Sequence, residues 1–195
     1  MAGSKSVRPR DASETEIEVI SMKHFLIVVD MQTDFIDGAL GTPEAVAIKP
    51  AVLNLIRSFR GEIFATQDTH GEAYLQTAEG RHLPVTHCVK GTPGWRLDPE
   101  IAAALQERGA VLVEKPTFGS LVLPQLIEDA AGGDEFDLTV IGLCTDICVV
   151  SNALLLKARF HEKEVYVDAA CCAGVTPEKH LAALEVMRSC QINVS

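Results

Sequence analysis

Residues 137–155 read DLTVIGLCTDICVVSNALL. The first part, DLTVIGL, is a short apolar run of strand length. The second part, from about Cys148, places Val149, Ala153 and Leu156 on one side of a helix. A buried strand that turns directly into a helix is the repeating joint of an α/β sheet protein. The same joint recurs along the chain. HFLIVVD (24–30), EIFATQD (62–68), AVLVEK (110–115) and EVYVDAA (164–170) are further apolar runs, and INVS (192–195) suits a short edge strand. Runs that are apolar on both faces predict strands covered on both sides, hence a mostly parallel sheet.

Helix-start chemistry lies between these runs. Asp98-Pro99-Glu100 and Thr176-Pro177-Glu178 each give an N-cap, a proline at the first helical position and an early acid. A helix opening at Pro50 would carry Val52, Leu55, Ile56 and Phe59, and another runs from about Ser120 to Ala130, closed by Gly132-Gly133. The alternation predicts a doubly wound α/β sandwich. Its sheet has five to six mostly parallel strands, with helices on both faces. We read residues 24–195 as one domain and residues 1–23 as a polar, mobile extension. That extension has no apolar segment of the kind a secretory signal needs.

Composition narrows the classes of function. The chain has 195 residues, 47% apolar and 23% charged, with net charge −10. No basic stripe points to nucleic acid, and no run is of transmembrane length. We therefore expect a cytoplasmic protein acting on a small molecule. Its six cysteines are expected to be reduced thiols, and none has the paired spacing of a structural zinc site. The adjacent Cys171 and Cys172 read as small buried residues.

In a doubly wound sheet, ligands bind beyond the carboxyl ends of the strands. The polar residues predicted there are Asp30, Asp68 with His70, Lys115, and the Thr145–Cys148 turn. Cys148 at a helix N-terminus would have its thiolate favoured by the helix dipole, beside backbone N–H groups able to hold an oxyanion. Asp30 is suited to move the thiol proton, and Lys115 to keep that pair charged. Taken singly, Cys148 equally suits a core filler, Asp30 a strand-end cap and Lys115 a solvated charge.

Three segments together resemble the isochorismatase-like cysteine hydrolases, the family of nicotinamidases and related amidases. They are LIVVDMQTDFIDGAL (26–40), VEKPTFGS (113–120) and GLCTDICVVSNAL (142–154). The resemblance implies Cys148 as nucleophile, Asp30 and Lys115 as its catalytic partners, and an oxyanion hole from the backbone of Cys144 and Cys148. It also implies a non-proline cis peptide between Leu143 and Cys144. Asp68-Thr69-His70 and His87, in HCVKGTPGW, match the metal ligands of metal-dependent nicotinamidases, with Glu79 as a further candidate. The implied cofactor is a divalent metal such as zinc, manganese or iron, with no organic cofactor. The implied partners are a small amide substrate and other copies of the chain, in a dimer or tetramer.

The chain departs from that pattern in two places. Gln76 stands where some nicotinamidases have a further histidine, and Pro84 where several have an aromatic residue. An aromatic wall would then come from Phe35, Phe118 or Trp95, with Leu143 completing the pocket. Phe35 suits core and pocket equally, and Trp95 suits a loop anchor as well. Asp34 reads as a structural acceptor, Asp146 as a brace for the nucleophile turn, His82 as a solvated side chain, and His24, His161 and His180 as surface residues. The expected reaction is hydrolysis of a carboxamide through a thioester, nicotinamide to nicotinate plus ammonia as the leading case. The alternatives are a carbamoyl-group amidase, a vinyl ether hydrolase of the isochorismatase type, and a small-molecule-binding or redox-sensing scaffold.

Overall fold

A computed structural model describes residues 22–195. The expected mobility of the N-terminal extension falls almost wholly outside the described residues. The sheet has six strands, all parallel: β1 Met22–Val29, β2 Glu62–Asp68, β3 Val111–Lys115, β4 Glu135–Leu143, β5 Val165–Ala173 and β6 Asn193–Val194. Their order across the sheet is β3-β2-β1-β4-β5-β6. β1 begins at Met22, two residues before the expected boundary, because Met22 and Lys23 pair with Glu135 and Phe136.

The order reverses between β1 and β4, which lie side by side at the centre of the sheet. Phe25, Leu26, Ile27, Val28 and Val29 are all fully buried, as are Leu138, Val140, Ile141 and Leu143. Strands covered on both faces cannot alternate apolar and polar, so continuous apolar runs mark them. At the switch point the loops leaving β1 and β4 diverge to opposite faces and open a crevice between them. The segments after Val29 and after Leu143 therefore border that crevice.

The helices are α1 Thr33–Ile36, α2 Pro43–Ser58, α3 Ala78–His82, α4 Pro99–Glu107, α5 Leu123–Ala131, α6 Val150–Arg159 and α7 Pro177–Ser189. α2 packs on α4, while α6 packs on α5 and α7, giving the layers of a three-layer sandwich. Asp98 and Thr176 cap α4 and α7 as their sequences predict, with side-chain oxygens accepting from backbone N–H groups. Gly132 ends α5 at φ 61°, a left-handed turn suited to glycine.

Two helix boundaries differ from the reading of the sequence. α2 starts at Pro43, with the Thr42 side chain accepting from Ala45 N–H, so Pro50 lies inside the helix rather than opening it. Thr42-Pro43-Glu44 is the same cap grammar found before α4 and α7. Pro50 is exposed, so the carbonyl it leaves without a partner can be met by water. The second difference concerns the turn after β4. A π-wound turn over Thr145–Val149 precedes α6, with Val149 N–H donating to Cys144 O at 3.1 Å. Cys148 thus sits one turn into the helical segment, which weakens any pull from the helix dipole on its sulfur.

Candidate active site

Asp30 follows β1 in a left-handed backbone conformation, φ 46°, a region that aspartate tolerates better than most side chains. Its N–H donates to Thr66 O at 3.2 Å, and Thr66 Oγ1 donates to Asp30 Oδ1 at 2.7 Å. These two bonds fix the carboxylate across the β1–β2 seam. Lys115, the last residue of β3, reaches inward and puts its Nζ 2.6 Å from Asp30 Oδ2 and 3.6 Å from Cys148 Sγ. It also donates to Thr117 O at 3.1 Å. Asp30 is 0% exposed, Lys115 1% and Cys148 4%, so the three are withdrawn from bulk water.

The electrostatics follow from that burial. Burial raises the Asp30 carboxyl above the ordinary carboxylate range, although Lys115 opposes the shift. Burial alone would lower the Lys115 ammonium, but Asp30, Cys148 and Asp68 together outweigh it and hold the lysine charged. Burial also pushes the Cys148 thiol well above its usual value, and the Asp30 charge adds to this. The Lys115 ammonium opposes the upward shift in both groups, so it lowers the cost of placing negative charge on either. Cys144 is half-buried, and its thiol is pushed up to about 12 by burial and by Asp146. The peptide bond between Leu143 and Cys144 is cis.

A second group adjoins the first. Asp68, His70, Glu79 and His87 bring one ligand atom each to within 4.8 Å of one another. His70 Nε2 lies 3.0 Å from Asp68 Oδ2 and 3.6 Å from Glu79 Oε1. It is buried and forms no well-aligned hydrogen bond. His87 Nδ1 donates to Val85 O at 2.8 Å, so in the neutral ring the Nε2 lone pair faces the carboxylates of Asp68 and Glu79 at 3.7 and 3.8 Å. Lone pairs converging on one point are what a cation resolves. Two imidazole nitrogens and two carboxylate oxygens suit a divalent ion such as zinc, manganese or iron. Burial raises the Glu79 carboxyl, with Asp68 adding to it, while in Asp68 the neighbouring His70 and Lys115 overcome burial and lower it.

Both groups open into one cavity of about 220 Å³, whose wall includes Asp68, Glu79, His87, Cys144 and Cys148. Phe35 and Phe118 line it together with Leu40, Leu83 and Ile147. Two residues expected in the pocket are elsewhere. Leu143 is fully buried in the core, because as the end of β4 it is covered on both faces. Trp95 anchors its own loop: its indole N–H donates to Thr69 Oγ1 at 2.9 Å, and its carbonyl accepts from the side chains of Gln32 and Gln67.

Other side chains stand as the sequence suggests. Asp34 Oδ2 accepts from Cys88 N–H at 2.8 Å, His82 is exposed, and Cys171 and Cys172 are buried free thiols. Asp146 Oδ1 accepts from Val175 N–H at 2.9 Å and so braces the turn against the segment after β5. His180 is not a plain surface residue. It is half-buried, with its Nδ1 2.8 Å from Thr145 Oγ1. Tyr74 was not foreseen either. It is buried with its ring 4.7 Å from that of His70 and 4.9 Å from that of His87, and its hydroxyl donates to Leu83 O. Nothing local marks Tyr74, because its partners approach only in the folded chain.

This fold and site define an α/β protein with a buried Cys-Asp-Lys cluster beside a metal-type ligand set. The isochorismatase domain model matches residues 24–195. A nicotinamidase/pyrazinamidase of Mycobacterium tuberculosis is 30% identical over 185 residues, covering 87% of this chain and 96% of that protein. The pyrazinamidase of Pyrococcus horikoshii, solved in complex with zinc, superposes with a TM-score of 0.71 at 31% identity, covering 89% of this chain and 98% of its own. A nicotinamidase/pyrazinamidase from Bacillus subtilis shares the fold with a TM-score of 0.77 at 24% identity, over 89% of this chain and 100% of its own. The chain belongs to the isochorismatase family, and within it stands beside the amide-hydrolysing nicotinamidases and pyrazinamidases. Among the described residues no helix is long and apolar enough to cross a membrane.

Proposed function

We propose that the chain hydrolyses the C–N bond of a small carboxamide through a Cys148 thioester, with nicotinamide as the leading substrate. One observation carries the reading: Lys115 Nζ stands within 2.6 Å of Asp30 Oδ2 and 3.6 Å of Cys148 Sγ beside a cavity of ring size. The relatives named as nicotinamidases and pyrazinamidases support the choice of an aromatic amide.

In this mechanism the Cys148 thiol gives its proton to Asp30 as the sulfur attacks the carboxamide carbon. The buried ammonium of Lys115 stabilises the sulfur anion and the carboxylate during that transfer. The oxyanion accepts hydrogen bonds from the backbone N–H groups of Cys144 and Cys148. Asp30 then passes the proton to the leaving nitrogen, and ammonia departs. Water adds to the thioester carbon, gives its proton to Asp30, and the acid leaves as the proton returns to sulfur. Asp68, His70, Glu79 and His87 would hold a divalent ion, which would supply a Lewis-acid contact for a ring nitrogen of the substrate.

The test is ammonia release from nicotinamide by wild type and by Cys148→Ala. The variant should fold with an unchanged thermal transition and lose essentially all turnover. Ammonia release by the variant near the wild-type rate would rule the mechanism out. A wild-type acyl adduct on Cys148, trapped at early times and seen as a mass shift, is the positive counterpart.

A further inference from the structure

Among the described residues, Lys179 is the only lysine or arginine lining the cavity that holds Cys148. It lies in the first turn of α7, where the helix dipole favours acids and disfavours cations. Among the described residues no carboxylate forms an ion pair with it. Its side chain is exposed, so its ammonium is free to meet a ligand at the cavity it lines.

The backbone that carries Lys179 is fastened to the nucleophile turn on both sides. Before it, Val175 N–H donates to Asp146 Oδ1 at 2.9 Å. After it, His180 Nδ1 meets Thr145 Oγ1 at 2.8 Å. Asp146 and Thr145 belong to the same turn as Cys148. Lys179 is thus a flexible ammonium on a base held in fixed register with the nucleophile. The rest of the wall near it is apolar, with Phe118, Ile147 and Val175, so a charge entering there meets little competition from other protein donors. The same cavity also carries the carboxylates of Asp68 and Glu79, which repel anions unless a cation sits among them.

We propose that the preferred substrate is a carboxamide bearing a second, anionic group, a carboxylate, and that Lys179 selects for it at the cavity wall while Cys148 takes the amide. The inference rests on the carboxamide reading but not on nicotinamide itself.

The test compares kcat/KM on the metal-loaded enzyme for nicotinamide and for nicotinamides carrying a ring carboxylate. Wild type should favour at least one carboxylated amide. Lys179→Gln should reduce that preference by up to about fivefold, the upper scale of an exposed ion pair, chiefly through KM. Lys179→Glu should reduce it further, Lys179→Arg should retain it, and added salt should shrink it. The proposal is overturned if wild type favours none of the carboxylated amides, or if Lys179→Gln alters all substrates alike. Binding of pyridine dicarboxylate to Cys148→Ala, with and without Lys179→Gln, reads the same contact without turnover. Equal affinities there also overturn the proposal while leaving the hydrolase reading intact, whereas absence of ammonia from every amide with wild type overturns the hydrolase reading and the substrate preference with it.

Discussion

Asp68 and Lys115 are register partners at the carboxyl ends of β2 and β3, and their side chains meet with Lys115 Nζ 3.5 Å from Asp68 Oδ1. One aspartate therefore faces two clusters, the metal-type ligands on one oxygen and Lys115 of the Cys148 cluster on the other. Asp68→Asn should lower metal content and also change the rate at which Cys148 is alkylated in metal-free protein. His87→Ala should lower metal content with a much smaller effect on alkylation. Equal effects of the two variants on Cys148 would show that the clusters are not joined through Asp68.

Metal should stabilise the fold, because its ligands come from segments brought together only by folding. At a hundredfold excess over Kd, one site is worth about 2.7 kcal/mol. The thermal transition should rise with added zinc or manganese, fall on chelation, and lose this dependence in His70→Ala. A transition insensitive to metal would argue against the site.

Lys115 and Asp30 form an ion pair that is almost wholly buried. Lys115→Met leaves the carboxylate uncompensated and should cost about 3–5 kcal/mol, measured by denaturant unfolding. Adding Asp30→Asn should return much of that stability without returning activity, since the two sites are in contact and their effects do not add.

Gly142 has φ 116°, and a Cβ there would lie 2.1 Å from the backbone oxygen of Val29. Gly142→Ala forces apart β1 and β4 where they flank the switch point. It should destabilise the protein by about 3 kcal/mol, at the upper end of ordinary substitutions, and abolish turnover. A well-folded Ala variant would contradict the close approach.

Burial holds the His180 imidazole below its ordinary pKa, with Asp146 opposing. A histidine with a depressed folded-state pKa contributes stability above the unfolded value and loses it as pH falls through the folded one. The stability of wild type relative to His180→Gln should therefore shrink as pH drops below about 6.5, read from thermal transitions across that range. A constant difference would mean that His180 titrates alike in both states.

The strand pattern was legible because it is local. Fully buried parallel strands need continuous apolar runs, and each such run in the sequence became a strand. The caps of α4 and α7 were equally legible, since a cap is made by residues within one turn of each other. Asp30, Lys115, Cys148 and the metal-type set could be named because strand ends in a doubly wound sheet face one crevice, and because their motifs resemble a family. What the sequence left open depends on contacts between distant segments. The bond from His180 to Thr145 spans 35 residues, and no periodicity announces it. Tyr74 meets His87, and Lys179 comes to line the cavity, only through packing of loops and helices that follow different strands. Leu143 and Trp95 left the pocket for the same reason: which way a side chain faces at a strand end or loop is set by its neighbours in space. The sequence by itself determined which elements form and which reactive groups end them. Tertiary structure decided which of those groups touch, because burial and approach are properties of the assembled chain.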